Sequence, residues 1–377
     1  RVDEVASNVG LGWALNGLGI ISRQIRGLKD ENGLLNVEGR ILIDGFQNDS
    51  VRRQVIANQA VGDNQFDYYT PDQFFYSFPG GSGKFIFDYV DKKPVIQSQS
   101  KGLKLESNLV GDFKITDNKG NKYIFGADNR TSREAALQNI IARHNEGLSI
   151  QIINGNGTSD FSGWYLTDIE TANKSLIQFK YVQSSNIYYR RSYDKRENDG
   201  TIASYFSKNI ADENIIEQIL FKKGKIVFEY DPNPDGREDI NYGKKLEWIK
   251  VYDDKNVLIK KIKLNYFYSN NMASQNILPY LYNVDPYARK RMFLESVEEI
   301  SLNNENDKNS YSFEYDFSSP MPNRHSNSKD IWGYYNGANN GFFILPLEAW
   351  SGDRRTNSDL SGVGLLKKIN YPTGGYA

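Results

Sequence analysis

One local pattern recurs along most of the chain: an alternating strand, a short polar turn, and a second strand with aromatic residues at alternate positions. The turns fall at Asp117–Asn121, around Thr171–Lys174, at Lys222–Gly224 and around Asp253–Asn256. Alternation places one set of side chains on a buried face, and Gly, Asn and Asp between such strands are typical of β-hairpin turns. The second strands are KFIFDY from Lys84, NKYIFG from Asn121, LIQFKY from Leu176, KIVFEY from Lys225, KIKLNYFY from Lys261 and YSFEYD from Tyr311.

A hairpin that stands alone is marginally stable in water, so consecutive hairpins must pair edge to edge. The sequence therefore predicts an all-β fold in which consecutive antiparallel β-hairpins form one extended, curved sheet. One segment departs from the pattern. SREAALQNIIARH, residues 132–144, has apolar residues at helical spacing after Ser132, a candidate N-cap, and predicts a single short helix inserted between hairpins. The polar stretches 184–209, 268–286 and 303–310 are predicted to be loops.

Composition limits the classes of partner. The 377 residues include 46 Lys and Arg and 47 Asp and Glu, a net charge of -1, which gives no electrostatic reason to expect nucleic acid or an acidic membrane surface. No apolar run approaches the roughly 18–20 residues that span a bilayer, so no membrane insertion is expected. The absence of cysteine excludes disulfides and thiolate metal sites.

Two regions are distinguished along the chain. Residues 1–60 are predicted to form a glycine-rich N-terminal segment, and residues 61–377 one continuous region of β-hairpins that contains the helical insert. The chain begins at arginine without a signal peptide and ends just after a turn that lacks a return strand. We therefore expect it to be a fragment of a longer protein.

The stretch VGLGWALNGLGIISR, residues 9–23, has too many glycines for a helix, where each costs about 0.5–1 kcal/mol relative to alanine. It does not complete the dinucleotide-binding pattern G-x-G-x-x-G, because Leu15 occupies the third glycine position. The glycines suit turns and close backbone approach. We expect Trp13 to be a buried anchor, a strand to start at Ile20, and Arg23 to belong to the wall of the sheet.

Four motifs, in order, resemble those of the Rhs/YD-repeat family. The first is the opening segment, in which Gly10, Gly12, Trp13 and Arg23 match "GLGW-x-L … I-x-R". It is followed by WYLTDI from Trp164, DIWGYYNG from Asp330 and INYPTGG, which contains Gly374. SpvB-like proteins and toxin-complex B subunits carry a comparable opening segment, and the order of motifs is most similar to that of the large surface Rhs-repeat proteins of Bacteroidetes.

The resemblance implies a secreted or cell-surface protein of a Gram-negative bacterium, whose repeats build a hollow β-sheet shell. This chain would be the N-terminal region of that shell, which encloses or displays a C-terminal region in toxin delivery or in a cell-surface role. The implied partners are downstream repeats and the C-terminal region of the same chain, together with secretion machinery, for which the type 9 translocon is expected. The clean repeat consensus and the self-cleaving core are absent, so no effector or release chemistry is carried over.

An alternative function is that of a cell-surface adhesin or carbohydrate-binding β-protein. Trp332, Tyr334, Tyr335 and Asn336 combine aromatic faces with an amide, and carbohydrate sites use such faces to stack on sugar C–H groups. The competing interpretation is that these aromatic side chains fill the shell wall.

The best candidate for a metal site is DPNPDGRED from Asp231. Asp231, Asn233 and Asp235 resemble the first half of an oxygen-ligand calcium loop, but Tyr242 stands where the bidentate acid belongs. The alternative is a solvated surface turn, and no other cofactor is predicted.

No motif indicates an enzyme. PGGSGKF, residues 79–85, lacks the flanking positions of a phosphate-binding loop and suits a hairpin turn. There is no G-x-S-x-G and no H-E-x-x-H, and both histidines, His144 in the predicted helix and His325 in a predicted loop, are interpreted as structural. A polysaccharide hydrolase, which needs two carboxylates across a cleft, remains the third alternative.

Overall fold

The structure is a computed structural model. It describes residues 1–26, 29–31, 35, 71–88, 90–97, 102–107, 111–127, 130–144, 148–154, 160–233, 236–269, 279–340 and 352–376. The predicted boundary between residues 60 and 61 lies outside these ranges.

Within them the fold is built almost wholly of strands. The strands are β1 (Ile20–Gln24), β2 (Gln73–Phe78), β3 (Gly81–Phe87), β4 (Pro94–Ile96), β5 (Lys104–Ser107), β6 (Phe113–Thr116), β7 (Lys122–Phe125), β8 (Thr131–His144), β9 (Leu148–Asn154), β10 (Asp160–Glu170), β11 (Leu176–Arg196), β12 (Ile202–Phe221), β13 (Gly224–Tyr230), β14 (Leu246–Asp253), β15 (Leu258–Tyr268), β16 (Met292–Ile300), β17 (Lys308–Tyr315) and β18 (Leu366–Asn370). The helical elements described are α1 (Pro279–Val284) and a 3-10 turn (Pro286–Arg289).

All described strands belong to one antiparallel sheet, which confirms the predicted fold class. From β10 to β18 each strand pairs with the next one along the chain. The N-terminal strand β1 lies between β2 and β10, so the start of the chain is joined to the middle of the sheet. No helix in the described part is long and apolar enough to cross a membrane.

The predicted hairpin turns are confirmed, and their polar residues satisfy the backbone. The carboxylate of Asp253 accepts the N–H groups of Lys255 and Val257, at 3.0 and 2.8 Å. Asn256 has a φ of 64°, in the left-handed region that asparagine tolerates better than most residues. Asp117 caps its turn in the same way, by accepting the N–H groups of Lys119 and Asn121 at 2.9 Å.

Four tyrosines, each on the second strand of a hairpin, share one arrangement. The tyrosine hydroxyl donates to a backbone carbonyl on the first strand of its own hairpin, and the residue two positions earlier packs in the core or against it. We call these contacts the tyrosine–carbonyl bonds. They join Tyr181 to Leu166 at 2.7 Å, Tyr230 to Ile216 at 2.8 Å, Tyr266 to Leu246 at 2.6 Å and Tyr315 to Leu294 at 2.6 Å.

The prediction of a short helix over residues 132–144 is wrong, because this segment belongs to strand β8. It pairs along its length with β12, from His144 opposite Ile202 to Arg133 opposite Asp212, and also with β9 and β10. Ile140 and Ala142, two positions apart, are buried as a strand requires. Pairing along both edges of β8 supplies hydrogen bonds and burial, and these outweigh the helix propensity of the segment, because propensity alone only weakly determines conformation.

Two predicted loops are also corrected. Residues 184–209 lie largely in β11 and β12, which form a long hairpin, and Ser184, Asp194 and Ser204 are buried in it. The segment 268–286 contains helix α1, whose Leu281 packs against Ile140 and Phe206. The helix therefore covers one face of the long hairpin.

Candidate functional site

The glycine-rich N-terminal segment packs against the far end of the chain. Gly10 has a φ of 111°, and a Cβ atom added there would lie 2.9 Å from the backbone nitrogen of Leu294. Gly12 has a φ of 75° with open space around it. Trp13 is half-buried, and its indole N–H donates a hydrogen bond to the Tyr315 hydroxyl at 2.9 Å. Close backbone approach explains the first glycine, and backbone conformation alone explains the second.

The other motif residues lie in the core, in a buried ion pair and in a turn. Trp164 is fully buried, with its ring centroid 5.0 Å from that of Phe113. The guanidinium of Arg23 is buried against the carboxylate of Asp72, with its Nε 2.8 Å from Oδ2, and also binds Glu31. Gly374, with a φ of 83°, lies in the turn closed by the Tyr371 N–H and the Gly375 carbonyl.

Residues 2–7, which we call the N-terminal strap, are held through their backbone by two buried arginines. Arg237 donates to the carbonyls of Ser7 and Ala6 at 3.1 and 3.0 Å, while Asp239 neutralises it. Arg291 donates to the carbonyls of Glu4 and Val2. Burial lowers the pKa of Arg291, because desolvation penalises the charged guanidinium.

The predicted carbohydrate residues are divided between surface and interior. Trp332 is 65% exposed and Tyr334 is 41% exposed, whereas Asn336 is buried and donates to the carbonyls of Asp353 and Arg355 at 2.6 and 3.2 Å. The carboxylate of Asp330 accepts the N–H groups of Trp332 and Tyr334, at 2.8 and 2.9 Å. The exposed aromatics therefore project from a turn that is fixed by hydrogen bonds.

Beside this turn lies a pocket of about 350 Å³, which we call the aromatic pocket. Its lining includes Tyr334 and Tyr335 together with Trp13 and Tyr315. Apolar walls with a few polar groups are the usual lining of small-molecule sites. The structure thus brings two of the four predicted carbohydrate residues together with the anchor of the N-terminal segment.

Of the predicted calcium residues, Asp231 and Asn233 lie after β13, and Asp235 falls outside the described residues. The carboxylate of Asp231 is 3.0 Å from the Lys245 ammonium and accepts the Asn233 N–H at 2.9 Å. A calcium ion would compete with this lysine. Among the described residues no three His, Asp or Glu side chains are grouped to hold a metal. Calcium binding by Asp231, Asn233 and Asp235 remains a prediction.

One histidine belongs to a buried polar cluster that the sequence did not reveal. His325 Nε2 lies 2.7 Å from Asp285 Oδ2, and Arg324 binds the same oxygen at 3.1 Å. Burial raises the pKa of Asp285, but hydrogen bonds and charge from His325 and Arg324 outweigh it, so the pKa lies below its usual value. Desolvation lowers the pKa of His325. The cluster connects the 3-10 turn (Pro286–Arg289) to the segment that precedes the turn at Asp330–Tyr334, which we call the aromatic turn.

A second and larger cavity, of about 1230 Å³, lies between the N-terminal strap and the long hairpin. We call it the basic cavity. Its lining includes three carboxylates, Asp3, Glu4 and Glu213. It also includes seven cationic residues: Arg1, Arg190, Arg191, Arg237, Lys244, Arg324 and Lys329. These residues are far apart in sequence, so no local pattern could have indicated the cavity.

Neither a known protein-family profile nor a characterised protein sequence matches the chain. Solved structures that are similar to it include the following two. One is the crystal structure of TcdB2-TccC3, at 10% identity and a TM-score of 0.40, over 83% of this chain and 15% of that one. The other is the Tc holotoxin pore of Photorhabdus luminescens with a mutated TccC3, at 10% identity and a TM-score of 0.34, over 82% and 14%. The chain spans about one seventh of the length of these chains, and similarity of this size establishes neither a family nor a function.

Proposed function

We propose that the chain is a structural part of a secreted Rhs/YD-repeat protein, in which it forms the N-terminal region of a β-sheet shell. The shell encloses or displays a C-terminal region, in toxin delivery or at the cell surface. The observation that carries the proposal is the continuous hairpin sheet in which the tyrosine–carbonyl bonds recur from hairpin to hairpin. A repeated structural unit of this kind suits a wall better than a reaction centre.

The order of the four family motifs supports the proposal from a separate direction. Three of their residues have structural tasks: Trp164 in the core, Arg23 in a buried ion pair, and Trp13 in contact with Tyr315. Gly374 fits a turn that leads away from β18. These motif residues make contacts within the fold, which supports a structural role for the chain.

The experiment is limited proteolysis combined with electron microscopy of the complete protein encoded by the gene. We expect a hollow particle, and C-terminal residues that resist protease until the particle is opened by denaturant. A C-terminal region digested at the same rate with and without denaturant would contradict enclosure. Two solid globular bodies would contradict the shell itself.

We further propose that the protein is exported, with the type 9 secretion system as the exporter. Fractionation of the producing cells should place the protein outside the cell or on its surface. Loss of the translocon should retain it inside, whereas unchanged export in that strain would overturn this part of the proposal.

The same proposal makes the chain non-enzymatic. His325 is buried, and it binds the Asp285 carboxylate that also accepts from Arg324, so we propose that its role is structural. Hydrolysis of polysaccharide, ester and peptide substrates should equal that of a His325→Gln variant. A rate above background that this substitution abolishes would show catalysis.

A second candidate function is carbohydrate binding at the aromatic turn. It rests on the exposure of Trp332 and Tyr334 from a fixed turn beside the aromatic pocket. A glycan array should show binding that Trp332→Ala abolishes at unchanged melting temperature. The matched control is Trp248→Ala, which removes a half-buried tryptophan from β14. Equal loss in both variants would contradict a site at Trp332.

A further inference from the structure

Six Asn-Gly pairs occur in the sequence, and the structure describes both members of two of them, Asn16–Gly17 and Asn336–Gly337. The glycine of each pair has a left-handed φ, 87° for Gly17 and 69° for Gly337. The two pairs are therefore alike in sequence and in the φ of their glycine. Their surroundings differ, and this difference bears on a reaction to which the Asn-Gly dipeptide is prone.

The reaction is loss of the asparagine amide. The backbone nitrogen of the glycine loses its proton to a solvent base and attacks the asparagine Cγ atom. An N–Cγ bond forms, the Cγ–N bond of the side-chain amide breaks, and ammonia leaves after taking a proton from water. Water then opens the resulting succinimide ring to give aspartate or isoaspartate. Attack requires an amide that can rotate and an accessible backbone nitrogen, and glycine has no side chain to hinder it.

The turn at Asn16–Gly17 meets these requirements. Both residues are exposed, and a Cβ atom added to Gly17 would meet nothing within 4 Å. Among the described residues no hydrogen bond holds the Asn16 amide or the Gly17 N–H group. The neighbouring side chains of Leu15 and Leu18 pack against the core. The accessible pair thus lies between two residues that belong to the folded interior.

The pair Asn336–Gly337 does not meet them. The Asn336 side chain is buried, and its amide nitrogen donates to the carbonyls of Asp353 and Arg355 at 2.6 and 3.2 Å. Its Oδ1 atom accepts the Ala338 N–H at 3.2 Å. Rotation of this amide toward the Gly337 nitrogen would break these hydrogen bonds inside the protein, where water does not replace them.

We propose that Asn16 is a site of spontaneous deamidation and isomerisation in the folded protein, and that the contacts of Asn336 protect it from the same reaction. An isoaspartate at position 16 adds a methylene carbon to the backbone shortly before β1. This junction is tightly packed, because the Gly19 carbonyl accepts the Leu166 N–H at 2.8 Å and a Cβ atom added to Gly19 would lie 2.8 Å from the Leu166 side chain. The modified chain therefore holds its N-terminal segment less firmly.

The site is independent of the shell proposal, because it depends only on contacts within the chain. The test is incubation of the whole chain at mildly alkaline pH, followed by proteolytic digestion and mass spectrometry that localises each converted asparagine by fragmentation. Protein isoaspartate methyltransferase, which methylates isoaspartate and not aspartate, measures the isomerised fraction. We expect conversion at Asn16 to be at least about tenfold faster than at Asn336, as the cost of breaking the hydrogen bonds of the Asn336 amide implies.

The matched control is the same incubation in urea, which removes the contacts of both pairs, so that Asn16 and Asn336 should convert at similar rates. Equal rates in the folded chain would overturn the proposal. A ratio in urea as large as in the folded chain would also overturn it, because the sequence alone would then explain the difference.

A variant tests the consequence of the reaction. Asn16→Gln should suppress conversion at this position and leave the melting temperature unchanged, since the side chain is exposed and has no partner among the described residues. After equal incubation, the N-terminal segment of the parent chain should be cleaved by protease sooner than that of the variant. Equal cleavage would contradict the expected effect of isoaspartate on this junction.

Discussion

The hydroxyl of Tyr230 donates to the carbonyl of Ile216 at 2.8 Å, which links the end of one hairpin strand to the middle of its partner. Burial raises the pKa of Tyr230, because the interior penalises the phenolate and keeps the hydroxyl protonated as a donor. The same relation holds at Tyr181, Tyr266 and Tyr315, and it accounts for the tyrosine that each of these second strands carries.

Removing one such hydroxyl should destabilise the fold measurably. Tyr230→Phe keeps the ring and leaves the Ile216 carbonyl without this donor, so the free energy of unfolding should fall by about 1 kcal/mol. Urea denaturation followed by circular dichroism measures it. Tyr252→Phe, on a half-buried tyrosine whose ring lies 5.2 Å from the Lys225 ammonium, is the control and should change stability by less than half as much. Equal losses would contradict a special role of the carbonyl bond.

Gly10 and Gly12 should differ in how well they tolerate substitution by alanine. Gly10→Ala meets both a left-handed φ and a backbone atom at 2.9 Å, and should lower the free energy of unfolding by about 2–4 kcal/mol. Gly12→Ala meets the left-handed φ alone and should cost about 1–2 kcal/mol. Urea midpoints of the two variants decide the matter, and an equal effect would disprove the close approach at Leu294.

The buried pair of Arg237 and Asp239 should show strong coupling. Arg237→Met leaves the Asp239 carboxylate buried without its partner and also releases two strap carbonyls, so we expect a loss of about 3–5 kcal/mol. The double variant Arg237→Met with Asp239→Leu removes the unpaired charge and should regain part of that loss. A double-mutant cycle measures the coupling, and strictly additive effects would contradict it.

Asp30 should make the stability depend on pH. Desolvation, with the Asp72 charge adding to it, raises the pKa of Asp30 to about 6, although the Asp72 N–H bond opposes the shift. The folded chain therefore binds this proton more tightly than the unfolded chain does, and stability falls as pH rises from about 4 to about 6.

The Asp30→Asn variant lacks the cost of ionising a buried carboxyl group at this position. Its free energy of unfolding should exceed that of the parent by about 2 kcal/mol near pH 8 and by little near pH 4. Chemical denaturation at both pH values measures the difference, with Asp91→Asn on an exposed turn as control. A difference that does not change with pH would contradict the raised pKa of Asp30.

The hairpins could be predicted because their signals are local. Alternation and turn residues such as Asp253 and Asn256 lie within a few positions of each other, and the structure confirms the turns they predicted. Strand β8 could not be predicted, because its conformation depends on pairing with β12, about 70 residues away. The polar residues of β11 hid a strand for a related reason: Arg191 and Asp194 are buried as an ion pair.

The candidate sites follow the same rule. The exposed Trp332 belongs to a local motif and was predicted as a ligand residue, a role that stays a prediction. At the aromatic pocket Trp13 contacts Tyr315, which is 302 positions away in sequence, and the basic cavity is lined by residues from Arg1 to Lys329. Nothing in a single sequence brings such residues together, because only the pairing of distant strands does so.

The tyrosine–carbonyl bonds bear on how chains of this kind can change in length. Each bond closes a hairpin upon itself, from Tyr181 to Leu166 or from Tyr266 to Leu246, and takes no atom from the next hairpin. Duplication or loss of a whole hairpin would therefore leave every remaining bond intact, whereas loss of a single strand would break one. Gain or loss of one hairpin at a time can therefore lengthen or shorten such a sheet, while each remaining hairpin keeps its own tyrosine–carbonyl bond.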